Sequence, residues 1–264
     1  MQLIRALLIA AAAVVLLSGI SVFFGSRKQE KKSAARFLIA TIGAALWTVA
    51  IFIILDLPNA SADFVHFIFT CAIGSITLCD VGLLAFLSYG YKGGKILTLL
   101  FTIGGAILVT LLAYDSSLFY SSYDLSQGYA HFVVDHSCWY FYALIVYFFL
   151  ISITFSSYLL RRIEEAKNSG LKTGLKVFLI GLSIGGILAL VFNLLLLTSQ
   201  PSLIWIGPLA TIVSILSFYF SVYKYGTLNV SSKWMKAMSG AILVGVAVII
   251  YLLAFYVVSS IARG

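Results

Sequence analysis

Apolar residues in this chain come in long unbroken runs, and polar residues come in short knots between them. Eight runs reach the length of about 20 residues that a helix needs to cross a bilayer. They lie at about 5–25, 37–57, 64–89, 96–114, 139–160, 175–197, 205–225 and 238–260. They are continuous and rich in Leu, Ile, Ala and Gly, without the alternation that a membrane barrel strand shows. Helices follow, because a backbone in hydrocarbon has to satisfy its own hydrogen bonds. The predicted fold is therefore all-α, a polytopic transmembrane helix bundle. Gly181-x-x-x-Gly185-Gly186 and Gly104-Gly105 predict close helix contacts rather than a phosphate loop, since no Lys-Ser/Thr follows. Pro208 falls in the first turn of the seventh run, where a missing N–H costs little.

Charge gives the runs a direction. All but Arg5 and Arg263 of the 17 Lys and Arg residues fall in four clusters, Arg27 to Arg36, Lys92 to Lys95, Arg161 to Lys176 and Lys224 to Lys236. These alternate with loops that contain none. Positively charged loops stay in the cytoplasm, so the N-terminus is expected outside, and an even number of spans returns the C-terminus outside as well. A cleaved signal peptide over 1–25 would put the Arg27 to Arg36 cluster on the wrong side, so the first span is read as uncleaved.

Composition agrees. The hydrophobic fraction is 62% and the charged fraction 10%, too few charges to cover a soluble domain. The net charge of +8 flanks the spans, which points to anionic lipid and not to nucleic acid. Three Cys without a CxxC give neither a disulfide framework nor a zinc site, although a Cys71–Cys138 bridge stays open beside free thiols. The expected location is a membrane, crossed several times.

Few residues are equipped for chemistry. Asp80 is the one carboxylate inside a span, past the middle of the third run toward the cytoplasmic side. An intramembrane carboxylate costs at least about 2.5–3.5 kcal/mol on insertion scales, which makes it a functional candidate beside a simple helix-to-helix hydrogen bond. His66, His131 and His136 all fall on the outer side, His131 and His136 in the long loop from Asp115 to Ser137. If that loop is helical, His131 and Asp135 share a face. The same loop carries many aromatic residues and runs into Trp139, which reads as an interfacial belt or as a lid over the bundle mouth. Asn193, Ser199 and Gln200 offer polar contacts at the outer end of the sixth run. No catalytic triad, HExxH, Gly-x-Ser-x-Gly, haem ladder or retinal lysine occurs, so no enzyme, metal or cofactor is expected.

Three stretches carry a family pattern. Arg36-Phe37-Leu38 leads into Ala44-Ala45-Leu46-Trp47-Thr48-Val49-Ala50. Tyr158-Leu159-Leu160-Arg161-Arg162 is followed by Gly170-Leu171-Lys172-Thr173-Gly174-Leu175-Lys176. Ser217-Phe218-Tyr219-Phe220-Ser221-Val222-Tyr223-Lys224-Tyr225-Gly226 ends the seventh run. Together they resemble the N-terminal seven-transmembrane region of bacterial sensor histidine kinases, over roughly residues 5–230. The resemblance implies a receptor-like input module with an outside N-terminus. It divides the chain into a seven-helix sensor-like domain at 1–230 and an additional transmembrane helix with a short tail at 231–264. The sequence departs from the pattern in that no ATP-binding domain or phospho-acceptor His on a cytoplasmic helix occurs in it, which leaves three readings: a standalone module, a fragment of a longer sensor, or a kinase-less relative that signals through a partner.

The expected function is detection of an extracellular or membrane-borne signal and its relay to a cytoplasmic kinase or response partner. Asp80, His66, Trp139, Asn193, His131 and His136 would meet a small or apolar ligand, with the third, fifth and sixth helices under the long loop. Arg161, Arg162, Lys224 and Lys233 would face the partner. The alternatives are a proton-coupled carrier working through Asp80, and a structural subunit of a membrane complex.

Overall fold

Each apolar run folds as a helix, and the computed structural model describes residues 2–55, 61–124, 131–134, 138–192, 203–226 and 232–261. The helices are α1 (Gln2–Gly25), α2 (Lys31–Ile54), α3 (Ala62–Leu87), α4 (Gly94–Tyr114), α5 (Trp139–Glu165), α6 (Ser169–Leu190), α7 (Ile206–Tyr225) and α8 (Ser232–Ile261). Seven of them, α1 to α7, are long and apolar enough to cross a membrane, and α8 contains the shorter apolar stretch Gly240–Ala254. Several begin or end beyond their apolar runs. α2 starts at Lys31, α5 continues through Arg161 and Arg162, and α6 starts at Ser169. Helix propensity of Lys, Arg and Glu carries each helix on past the hydrocarbon.

The caps show why the helices begin where they do. Ser61 accepts from the Phe64 amide at 3.3 Å and opens α3. The Asn168 side chain accepts from the Gly170 amide at 2.8 Å and opens α6. Between α3 and α4 the chain reverses in six residues, with Gly90 at φ +91° and Gly93 at φ +83°. Only glycine takes such angles at no steric cost.

From α1 to α7 consecutive helices pack on one another, and α7 closes the ring on α1 and α2. α8 lies against α1, where Gly245 faces Val14. The hairpins gather the basic clusters at one end. There Arg162 of α5 reaches the end of α3 and Arg36 of α2 stacks on Tyr89. Phe218 plugs this end, with its ring 4.1 Å from Phe37, 4.9 Å from Phe178 and 5.0 Å from Phe86. At the opposite end the fully buried Phe119 packs on Phe69, Tyr140 and Phe141.

The long loop between α4 and α5 is not helical at His131. Tyr120–Asp124 (β1) and His131–Val134 (β2) form a two-stranded antiparallel ribbon, with Asp124 opposite His131. Tyr, Phe and Val are residues that favour strands. The helix face expected to join His131 to Asp135 therefore does not form, and Asp135 lies outside the described residues.

Candidate functional site

Two polar regions stand out in this apolar ring. The first is a seam between α3, α4 and α5. On α3, His66, Thr70, Thr77 and Asp80 are spaced so that they fall on one helix face, and this face meets α4. His66 Nε2 lies 3.4 Å from the Ala113 carbonyl of α4. Thr77 packs on Gly105 of α4, where a Cβ would collide with both Thr77 and the Tyr147 hydroxyl. Asp80 is half-buried, about 27 Å along α3 from its start and about 10 Å from its end. Among the described residues it has no ion pair and no hydrogen bond, while Cys79 and Tyr147 are near enough to feel its charge. Thr70 Oγ1 is buried and has no hydrogen-bond partner among the described residues. A buried hydroxyl without a partner loses about 1–3 kcal/mol of solvation.

Tyrosines of α5 complete the seam. Tyr140 donates to the Leu108 carbonyl at 2.7 Å and Tyr147 to the Phe101 carbonyl at 3.0 Å. Donors and acceptors are both seven residues apart on antiparallel helices, so they form two rungs of one ladder. The ladder matters because only Gly94, Gly105 and Leu112 of α4 are buried. Ile96, Leu99, Leu100, Ile103 and Ile107 all face outward. In lipid an outward apolar face provides no drive to associate, so α4 is held by the close contact of Gly105 with Thr77 on α3 and by hydroxyls on carbonyls from α5.

The second region is a clamp at the basic end. Arg162 is half-buried and donates from Nε to the Leu87 carbonyl at 2.9 Å and from one terminal nitrogen to the Tyr89 carbonyl at 2.9 Å. A cation on the last carbonyls of a helix satisfies acceptors that have no partner within the helix and complements its dipole. Tyr91 donates to Glu165 at 2.8 Å, and Glu165 also accepts from Arg161 at 3.1 Å. Burial, followed by the bond to Glu165, raises the Tyr91 phenol above its ordinary value, so it stays a donor at neutral pH. The clamp ties the end of α5 to the turn that joins α3 and α4.

The expected site residues separate accordingly. His66 and Asp80 share a face of α3 but sit about 21 Å apart along it. Trp139 starts α5, is exposed, and has its ring 5.9 Å from Tyr140. At the same end the Asp115 carboxyl is held below the usual carboxylate range, chiefly by hydrogen bonds from the Ser117 hydroxyl and amide, with His66 adding a smaller pull. His131 is on β2, while His136 and Asn193 lie outside the described residues. Arg161 and Arg162 meet at Tyr91. Lys224 lies over Phe220 and Tyr225 at the end of α7, and Lys233 is in the first turn of α8. Among the described residues no group of three or more His, Cys, Asp or Glu could hold a metal ion, and Cys71, Cys79 and Cys138 are unbridged.

Sequence reasoning missed Thr70, Thr77, Tyr140, Tyr147, Tyr91 and Arg36. The signal existed for the first four. Polar residues on one face of α3, and tyrosines seven apart on α5, are helical spacings inside apolar runs. The threonines are outweighed by the charge of Asp80, and the tyrosines suit an interfacial aromatic belt equally well.

A model of the family described as the N-terminal 7TM region of histidine kinase matches residues 7–231. No curated protein matches the chain.

Proposed function

We propose, for a chain that belongs to the family of N-terminal seven-transmembrane regions of histidine kinases, that the α3–α4–α5 seam receives the signal and the Arg162 clamp passes it on. The coarser level is common to the family: a multi-pass integral membrane protein that serves as a sensory, signal-transducing module. The matched region has an input role, distinct from catalysis.

One observation carries the proposal. α4 is joined to α5 by polar tethers, beside the Thr70 hydroxyl and the Asp80 carboxyl, neither of which has a hydrogen-bond partner among the described residues. A small polar or amphiphilic signal that takes up these groups would bind one position of α4 better than another, and differential contact is what shifts a conformational equilibrium. The turn between α3 and α4 would move with α4. Arg162 and Glu165 grip that turn, so α5 and its basic end would follow. The charge rule supports an orientation with this end in the cytoplasm and the N-terminus outside. A kinase or response partner would meet it through Arg161, Lys224 and Lys233. In the same orientation α8 is an added span beside α1, after the seven-helix unit.

Spin labels at the outward-facing Leu100 of α4 and Leu150 of α5, in the full chain in nanodiscs, test this. Two distance populations are expected, shifted by Asp80→Asn, together with a kinase or response regulator that co-purifies from native membranes. A single distance at every pH and lipid composition, with no such partner, would sink it. Proton-coupled flux in proteoliposomes that Asp80→Asn abolishes would favour the carrier instead.

A further inference from the structure

A cavity of about 880 Å³ opens at the basic end, outside the seam, around the turn between α3 and α4. Its wall carries three cations, Arg36 from α2, Lys92 from the turn and Lys95 from α4, and no carboxylate. Arg36 is held in place by stacking 4.2 Å over the Tyr89 ring and by donating to the Lys32 carbonyl at 2.8 Å. Lys92 and Lys95 are exposed, and among the described residues neither has an ion pair or a hydrogen bond. The first turn of α4 adds backbone donors on the same side. Gly94 donates to the Tyr91 carbonyl and Leu97 to the Gly93 carbonyl, while the amides of Lys95 and Ile96 have no backbone acceptor among the described residues. Cations and free amides at a helix start together attract a phosphate.

The other wall is apolar and decides between a soluble anion and a lipid. Ile96 and Leu99 line the cavity and are 65% and 58% exposed. They continue into the outward face of α4, through Ile103 and Ile107. A phosphate at the mouth and hydrocarbon along α4 is the shape of a phospholipid lying at the interface. Basic pockets between transmembrane helices on the positively charged side suit anionic headgroups.

We propose that this cavity binds the headgroup of an anionic phospholipid, with its phosphate among Arg36, Lys92 and Lys95 and its acyl chains along Ile96 and Leu99. The bound lipid bridges α2 to the first turn of α4 and holds the turn that Arg162 grips. The inference needs the cavity to lie at a leaflet surface, and it does not depend on the seam's receiving a signal.

Native mass spectrometry of the full chain, with phosphatidylglycerol, phosphatidylcholine or inorganic phosphate added, tests it. The wild-type chain should retain phosphatidylglycerol over phosphatidylcholine. The Lys92→Gln, Lys95→Gln double variant should bind phosphatidylglycerol at least tenfold more weakly, with phosphatidylcholine unchanged. The Lys28→Gln, Lys167→Gln pair removes equal charge elsewhere on the same end and should leave binding within twofold. Equal loss in both pairs would reduce the effect to diffuse surface attraction and overturn the site. Inorganic phosphate displacing the lipid at millimolar concentration would reassign the cavity to a soluble anion, against the proposal. Should the double variant fail to fold, a photoactivatable phosphatidylglycerol on the wild-type chain gives the answer alone. Crosslinks on the peptide with Ile96 and Leu99 support the site, and crosslinks spread over all helices refute it.

Discussion

α6 and α7 are joined differently from α4 and its neighbours. At α6–α7, Gly181 and Gly185 leave no room for a Cβ: Ser217 and Ser214 side chains and the Val213 and Ala210 carbonyls fill the space. Ser214 donates to the Gly181 carbonyl at 3.2 Å. The α2–α3 seam is alike, with Gly43 against the Cys79 backbone and Gly82 against that of Ala40. At α4 only Gly94, Gly105 and Leu112 are buried; Gly105 makes one close contact with Thr77 of α3, and the tyrosine ladder supplies the attachment to α5. In lipid, where apolar surface gains nothing by leaving its solvent, helices associate by close packing or by polar contacts. Close packing falls off within an ångström of separation. A hydroxyl on a carbonyl can let go and re-form. The first kind of seam makes a frame, and the second makes a part that can change position.

The largest effect should come from filling the frame. Gly43→Ala puts a Cβ 2.5 Å from the Cys79 amide nitrogen, on a backbone that cannot step aside. Gly185→Ala does the same against the Ala210 carbonyl at 2.6 Å. Each should cost about 3 kcal/mol, the top of the ordinary overpacking range, read as a lower midpoint in thermal unfolding of the detergent-solubilised chain. Gly186 sharpens the comparison, because a Cβ there meets nothing within 4 Å. Gly186→Ala should leave the midpoint unchanged or raise it, by up to about 1 kcal/mol from helix propensity. Equal losses at 185 and 186 would mean that glycine content, and not the seam, sets stability.

Breaking the clamp should come next. Arg162→Ala removes a charged donor from the Leu87 and Tyr89 carbonyls, where bonds to charged groups are worth about 1.5–3 kcal/mol. The expected loss is about 2 kcal/mol, accompanied by faster amide exchange in 88–93. Loss of stability with unchanged exchange in that turn would show that Arg162 acts by packing alone.

How far the sequence revealed this depends on which forces left a mark in it. Helix number, helix type and the gathering of basic clusters at one end were legible, because hydrocarbon length and loop charge are written residue by residue. Gly181 and Gly185 were legible as packing positions, since only contact explains small residues four apart in a span. Gly186 was not separable from them, because which glycine faces the partner depends on helix rotation. The seam was half legible. Asp80 is conspicuous by its charge, whereas the tyrosine donors resemble an aromatic belt until their carbonyl acceptors are seen. The clamp depends on α5 outrunning its apolar stretch as far as Glu165, which no hydropathy pattern marks. The ribbon at His131 was hidden by aromatic residues that suit a belt, a lid or a strand equally well.

The smallest change in stability should carry the most information about α4. Tyr147→Phe removes one hydroxyl, the bond to the Phe101 carbonyl, and little else. That carbonyl keeps its place in the helix, and the ring still contacts Phe101 at 5.9 Å. Hydrogen bonds between membrane helices average about 0.6 kcal/mol in measured cycles, so the unfolding midpoint should hardly move. The position of α4 against α5 should respond more, because besides the ladder α4 is seated chiefly on α3 through Gly105 and Thr77. Adding Tyr140→Phe removes the second rung, and about 1.2 kcal/mol in all multiplies the share of a detached α4 roughly eightfold. Spin-label distances from Leu100 to Leu150 should broaden with the first change and more with the second. The same double substitution should leave a label pair across α6–α7 untouched. If both pairs broaden together, the frame and the tethered helix are one cooperative body, and the contrast between them fails.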